Sequence, residues 1–299
     1  MSDLQYPETP SATTQRRRPR TPSPTNPRQR TARIAANLSA LFVGVCFIIP
    51  LAWIILTSLN PKATVSLSWP KAFSIENFQA VWTFDQTFRP ILNSIVISGG
   101  TAALAAIAAL LAAYPLSRYR MRFKQPFMYT ILFGTCLPIT AIMVPVYYLF
   151  VSFHLLDSTF GVIGFIAASA LPMAIWMMKN FMDSVPISLE EAAWVDGANS
   201  MKALFRIVAP LMTPGIAVVF VFVFTSTWGN FFVPFILLQT PAKQPAAVSV
   251  YSFFGMYGTI QYGKLAAFAI LYSTPALALY LLAQRLSGGS FTMAGAVKG

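Results

Sequence analysis

The sequence predicts an all-α fold, a polytopic membrane protein with six transmembrane helices and one polar loop that builds short helices of its own. Three observations carry that prediction: an apolar composition, six long runs without a charge, and an uneven distribution of basic residues. Of the 299 residues, 56% are hydrophobic and only 10% charged, with a mean hydropathy of +0.61, outside the range of soluble domains. The net charge of +12 suggests nucleic acid at first sight. Seven of the basic residues, however, are Arg16, Arg17, Arg18, Arg20, Arg28, Arg30 and Arg33, all in a Pro- and Thr-rich leader. That charge is a tail and not a binding face, so no nucleic-acid partner is expected.

Residues 1–33 come first. They hold six prolines and almost no apolar periodicity, so they are expected to form a disordered basic cytoplasmic leader, too polar to offset the entropy of ordering. Its expected job is topological, with anionic lipid as a second option. Six runs follow, because a helix needs about 20 apolar residues to cross hydrocarbon that cannot bond to open backbone groups. They cover about Ile34 to Ser58, Leu92 to Leu116, Phe127 to Phe150, Phe160 to Met178, Leu211 to Leu238 and Leu265 to Ala283, and none contains Asp, Glu, Lys or Arg. The first is longer than a secretory signal core and reads as a retained anchor.

Direction follows from Lys and Arg, which stay on the cytoplasmic side. The leader is basic, and so is the loop after the second run, with Arg118, Arg120, Arg122 and Lys124. The loops on the opposite side are poorer in basic residues, which places both termini, and the loop from Lys179 to Pro210, in the cytoplasm of a cell-membrane protein. Cys46 and Cys136 sit within apolar runs as small hydrophobes, so neither a disulfide nor a metal site is indicated. His154, the one histidine, falls in a short external loop and reads as a surface residue.

The polar loop holds the most information. Pro186 closes the fourth run, and Ser188 followed by Glu191 has the spacing of a capping box, with Glu190 and Glu191 at the positive end of a new helix. That helix should stop at Asp196-Gly197, and a second should run from Asn199 or Ser200 to Val208 before Pro210. Ala192 and Ala193 leave room for another protein to approach, beside Trp194 and Val195. A loop that lies on the membrane surface accounts for the same pattern. A DNA-reading helix pair fits worse, because acids crowd its first helix.

The stretch "EEAAWVDGANSMKALFRIVAPLMTPG" resembles the coupling (EAA) loop of the permease subunits of ABC importers. The matching residues are Glu191, Ala192, Ala193, Asp196, Gly197, Ala198, Phe205, Ile207 and Pro210; Ala209 departs from the leucine usual before the proline. "FSIENFQAVW", "NSIVIS", "AAYPLSRYRMRFK", "LPMAIWMMKNFMDSVPISLEEA" and the ending "FTMAGAVKG" are similar to the carbohydrate-importer branch, in the manner of a maltose-type second permease.

The resemblance implies a six-span permease domain over 34–299, a coupling loop over 186–210, and alternating access driven by separate ATPase subunits. The solute is expected to be a sugar, an oligosaccharide or a polyol derivative such as a glycerol phosphate. It implies a second permease, two cytoplasmic ATP-binding subunits, an extracytoplasmic solute-binding protein and membrane lipid as partners. The chain itself would be no enzyme and hold no cofactor, with ATP and Mg bound by the partner ATPase. ATPase docking would fall to Glu190, Glu191, Ala192, Ala193, Asp196, Gly197 and Ala198.

The charge-free runs agree with an outside source of energy, since ion-coupled carriers usually keep acids or histidines at membrane depth. An ion-coupled secondary carrier acting alone stays open as the alternative, because backbone carbonyls can hold sodium. Candidate solute-path residues are Asn93 and Ser98 in the second run and Thr227, Trp228 and Asn230 in the fifth. There an aromatic face beside an amide suits a sugar ring; helix-to-helix packing explains the same residues. No catalytic or metal-ligating constellation is present.

Overall fold

A computed structural model describes residues 27–64, 69–70, 72–254 and 260–286. The leader through residue 26 and the "FTMAGAVKG" ending lie outside them. Helices make up the described chain, with one isolated antiparallel bridge, Phe254 to Ile260. The described chain through Ala52 forms one compact unit and the described chain from Trp53 onward a second.

Helix α1 (Pro27–Ser58) begins seven residues earlier than expected, so the last stretch of the supposed leader is helical. Its large side chains, such as Leu38, Phe42 and Phe47, stand exposed, as on a helix solvated by lipid.

In the second unit α2 (Glu76–Val81) leads through a π-turn at Phe84–Phe88 into α3 (Arg89–Arg118), the longest helix there. Its buried face reads Ser94, Ser98, Thr101, Ala102, Ala105, Ala109 and Ala113, one small residue every three or four positions. Small side chains let helix backbones close together where lipid supplies no hydrophobic drive. Two helices use that groove: α6 (Thr159–Asp183), through Ala167, Ala174 and Met178, and α10 (Thr213–Trp228), through Val219, Val223 and Phe224. Gly215 opens α10 against α6, where an added Cβ would lie 2.6 Å from Phe181 Cγ and 2.7 Å from its Cβ.

Among the described residues four helices are each long and apolar enough to cross a bilayer, and two bent pairs raise the number to six if each pair is one span. The third expected run is such a pair, α4 (Lys124–Gly134) and α5 (Ile139–Ser152), bent by 89°. Pro138 stands at the N-cap of α5; it has no N–H to give and pushes Leu137 out of helical backbone. The fifth run is shorter than the sequence suggests. Helix α10 stops at Trp228, and a separate α11 (Phe232–Leu237) follows, with Asn230 Oδ1, just ahead of the Phe231 N-cap, accepting the Val233 N–H at 3.2 Å. The sixth is one helix, α13 (Tyr262–Leu286).

At the far end from the polar loop, Asp157 pins two loops together. With φ at +58°, it accepts the N–H groups of Gln239 and Thr240, both at 3.0 Å, and pairs with Lys243 Nζ at 2.8 Å. The Lys243 ammonium, followed by the Thr240 donors, holds its carboxyl well below the usual carboxylate range. A depressed carboxylate stabilises the fold fully above its unfolded value of about 4 and loses that effect as pH falls toward the folded value. Asp157→Asn is therefore expected to lower the melting temperature at pH 7, with the gap to the unaltered protein closing as the melt is repeated below pH ~4. Gly215→Ala is expected to cost about 1–3 kcal/mol through overpacking, read as a lower melting temperature in detergent, because the clashing atoms sit at the root of Phe181 and cannot swing away.

Candidate functional site

The polar loop folds as two short helices. The first, α7, runs Ser188–Val195 and ends as expected: Asp196 is its C-cap and Gly197 has φ +81°. The Gly197 N–H bonds to Trp194 O at 3.0 Å and the Ala198 N–H to Ala193 O at 2.9 Å, the paired pattern that a left-handed residue makes possible at a helix end. Asn199 then caps the next helix, its Oδ1 accepting the Lys202 N–H at 2.8 Å. That helix comprises α8 (Ser200–Ala203), a π-turn over Leu204–Val208 and α9 (Ala209–Leu211). It continues past Pro210 and turns by 79° into α10. Leu204, Val208 and Met212 bury themselves against Met178, Met182 and Val185, fastening the loop to α6.

The N-terminus of α7 departs from the expected capping box. Ile187 is the N-cap with no side-chain bond, and Ser188 is already helical. Glu190 departs further. Instead of lying at an exposed docking face, its side chain is 0% exposed and pairs with Arg118, whose side chain is 5% exposed, Nε to Oε1 at 2.5 Å. Burying a carboxylate is costly unless a cation takes the place of its water, and Arg118 supplies that cation. Arg118 also donates to Val185 O at 3.1 Å and to Ser117 Oγ at 3.3 Å, and Ser117 Oγ donates to Asp183 Oδ1 at 2.6 Å. Lys179 pairs with the same Asp183. Glu190 Oε2 takes no hydrogen bond among the described residues.

The end of α3 thus grips both the end of α6 and the start of α7. Glu191, Ala192, Asp196 and Gly197 remain exposed on the outward side, with Leu189, Trp194 and Val195, the last 87% exposed. Ala193 is buried and Ala198 half-buried. Together these side chains form a knob with an apolar tip and an acidic flank, mounted on a buried ion pair.

Residues 105–289 match the family model described as "binding-protein-dependent transport system inner membrane component". The chain belongs to that family. The match spans both Arg118 and Glu190. Among curated relatives, the permease is 30% identical over 276 residues to the trehalose transport system permease protein SugB of Mycobacterium tuberculosis, covering 90% of this chain and 99% of that one. It is 29% identical over 265 residues to the diacetylchitobiose uptake system permease protein NgcG of Streptomyces coelicolor, covering 86% and 87%. A crystal structure of a bacterial ABC transporter that imports the polysaccharide alginate contains a chain with the same fold, at TM-score 0.75 and 22% identity, covering 89% of this chain and 99% of that one.

The candidate solute-path residues of the permease do not share one setting. Asn93 Nδ2 donates to Ala242 O and Gln244 O at 2.9 and 3.0 Å, so it holds the loop after α11. Ser98 is buried on the small-residue face of α3. Trp228 lies between Phe224 and Tyr272, with centroids at 5.4 and 5.3 Å, and Tyr272 donates to its carbonyl. The Trp228 indole N–H and the Thr227 hydroxyl are buried with no partner among the described residues. Asn230 accepts the Val233 N–H at the start of α11.

Arg118 is the functional residue that pattern reading missed. It was visible only as one of four positive charges that orient the chain, whereas its partner lies 72 positions away. Arg118→Met is expected to cost about 3–5 kcal/mol by leaving Glu190 buried and unpaired. Pairing it with Glu190→Leu should restore most of the lost melting temperature, which a double-mutant cycle reads directly.

Proposed function

We propose that this chain is one of two permease subunits of an ATP-driven importer for a sugar, an oligosaccharide or a polyol derivative. In this reading six spans cross the cell membrane with both termini in the cytoplasm. An extracytoplasmic binding protein delivers the solute. Two separate ATP-binding subunits supply the energy, one of them seated on α7.

The observation that carries this reading is the mounting of α7: an exposed knob whose root is locked by Arg118 and Glu190 to the largest span of the bundle. A helix that merely rested on the membrane would not need a dehydrated ion pair at its base. Docking then falls to Glu191, Ala192, Asp196 and Gly197 with Leu189 and Val195, while Glu190 holds the helix in place. The carbohydrate class rests on the relatives named for trehalose and diacetylchitobiose. An ion-coupled carrier is less well supported, since the described spans hold no acid at their middles.

Proteoliposomes containing this chain alone are expected to accumulate no sugar under a sodium or proton gradient. Vesicles that also hold its partner permease, ATPase and binding protein should accumulate it with ATP. In the complete system Gly197→Val forces left-handed backbone on a β-branched residue, a strain of about 1–2 kcal/mol. Uptake should fall at least about tenfold while ATP hydrolysis persists. Uptake by the lone chain along an ion gradient would refute the reading.

A further inference from the structure

Beside the Arg118 anchor the chain carries a feature that transport leaves unused. The turn between α3 and α4 reads Arg118-Tyr119-Arg120-Met121-Arg122-Phe123-Lys124, four cations with no acid. Arg118 is committed to Glu190. Arg120, Arg122 and Lys124 have no carboxylate within ion-pair distance among the described residues, and Arg120 and Arg122 are exposed.

Under this turn lies a groove of about 650 Å³ between α3, α4 and α6. Its walls are carbon: Ala112, Leu116, Phe123, Phe127 and Ile175, with Arg122 and Lys124 at the lip. A second hollow of about 580 Å³ shares that lip and is lined by Arg118, Arg120, Arg122 and Lys124. A third small cleft joins Lys124 to Trp176 and Lys179, and Trp176 packs near Tyr129 at 6.2 Å. Tryptophan and tyrosine collect where hydrocarbon meets headgroups, and α3 ends at this level.

We propose that this turn and groove form a binding site for an anionic phospholipid, with an acyl chain in the carbon-lined groove and the phosphate on Arg122 and Lys124. Charge selects the occupant. An uncharged lipid or an apolar protein segment would fill the groove but leave Arg120 and Arg122 without a counter-ion at the membrane boundary, whereas free phosphate would satisfy the cations and leave the groove unfilled. Basic residues grouped between spans attract anionic headgroups in this way. The inference rests on the chain crossing a bilayer and not on which solute it moves, so failure of the transport reading leaves it standing.

The test is native mass spectrometry of the full chain in detergent, titrated with phosphatidylglycerol, phosphatidylcholine or inorganic phosphate. Phosphatidylglycerol should be retained about tenfold or more over phosphatidylcholine. The double variant Arg122→Gln with Lys124→Gln should lower its affinity about 30-fold at low salt. Ala112→Phe, which fills the groove and keeps every charge, should weaken lipid retention by a similar factor, while Lys62→Gln should change nothing. Equal retention of the two lipids would overturn the proposal. So would a preference for phosphatidylglycerol that survives both variants, or displacement of the lipid by millimolar phosphate alone.

Discussion

The arrangement of the polar loop depends on one buried ion pair. Burying Glu190 is costly without Arg118, and Arg118 reaches it only because α3 and α6 lie close enough for the end of one helix to touch the end of the other. That closeness comes from the row of alanines and serines along α3. The small-residue face sets the spacing of α3 and α6, the spacing brings Ser117 and Arg118 against Asp183 and Val185, and the cation at that junction holds α7. A larger side chain in the row would act on the loop from several turns away, by moving its anchor.

Much of this was legible beforehand. The runs that became α1, α3, α6 and α13 were readable because an apolar stretch of that length without a charge has few other uses. The stop at Gly197 and the restart at Asn199 were readable because both are local chemistry: a residue that accepts positive φ, then a side chain that caps. The breaks were less legible. The apolar runs give no sign of the 89° bend between α4 and α5 or of the end of α10 at Trp228, which depend on what packs beside them. The burial of Glu190 was not legible, because a local pattern says nothing about a cation 72 positions away. Sequence spacing reports neighbours along a helix, and here the deciding neighbour came from another one.

The candidate solute-path residues illustrate the same boundary. Asn93 lies in α3 and Asn230 in the break between α10 and α11, and each already bonds the chain's own backbone. Thr227 and Trp228 are different, since each keeps a buried polar atom unpaired among the described residues. An unpaired buried donor is costly, and these two adjoin the aromatic stack that joins α10 to α13. Both positions keep a buried polar atom with bonding capacity left over.

In the proposed importer α7 and the end of α3 behave as one rigid piece, so that force applied to the exposed knob reaches the spans. Spin labels at Ser188→Cys and Tyr119→Cys, with Cys46 and Cys136 replaced by serine, would give the distance between the two elements by pulsed electron paramagnetic resonance in the assembled transporter. A single narrow distance, the same at rest and with ATP trapped, is the result expected of a rigid mount. A distance that shifts or broadens on ATP binding would show that α7 slides on α3, and would contradict it.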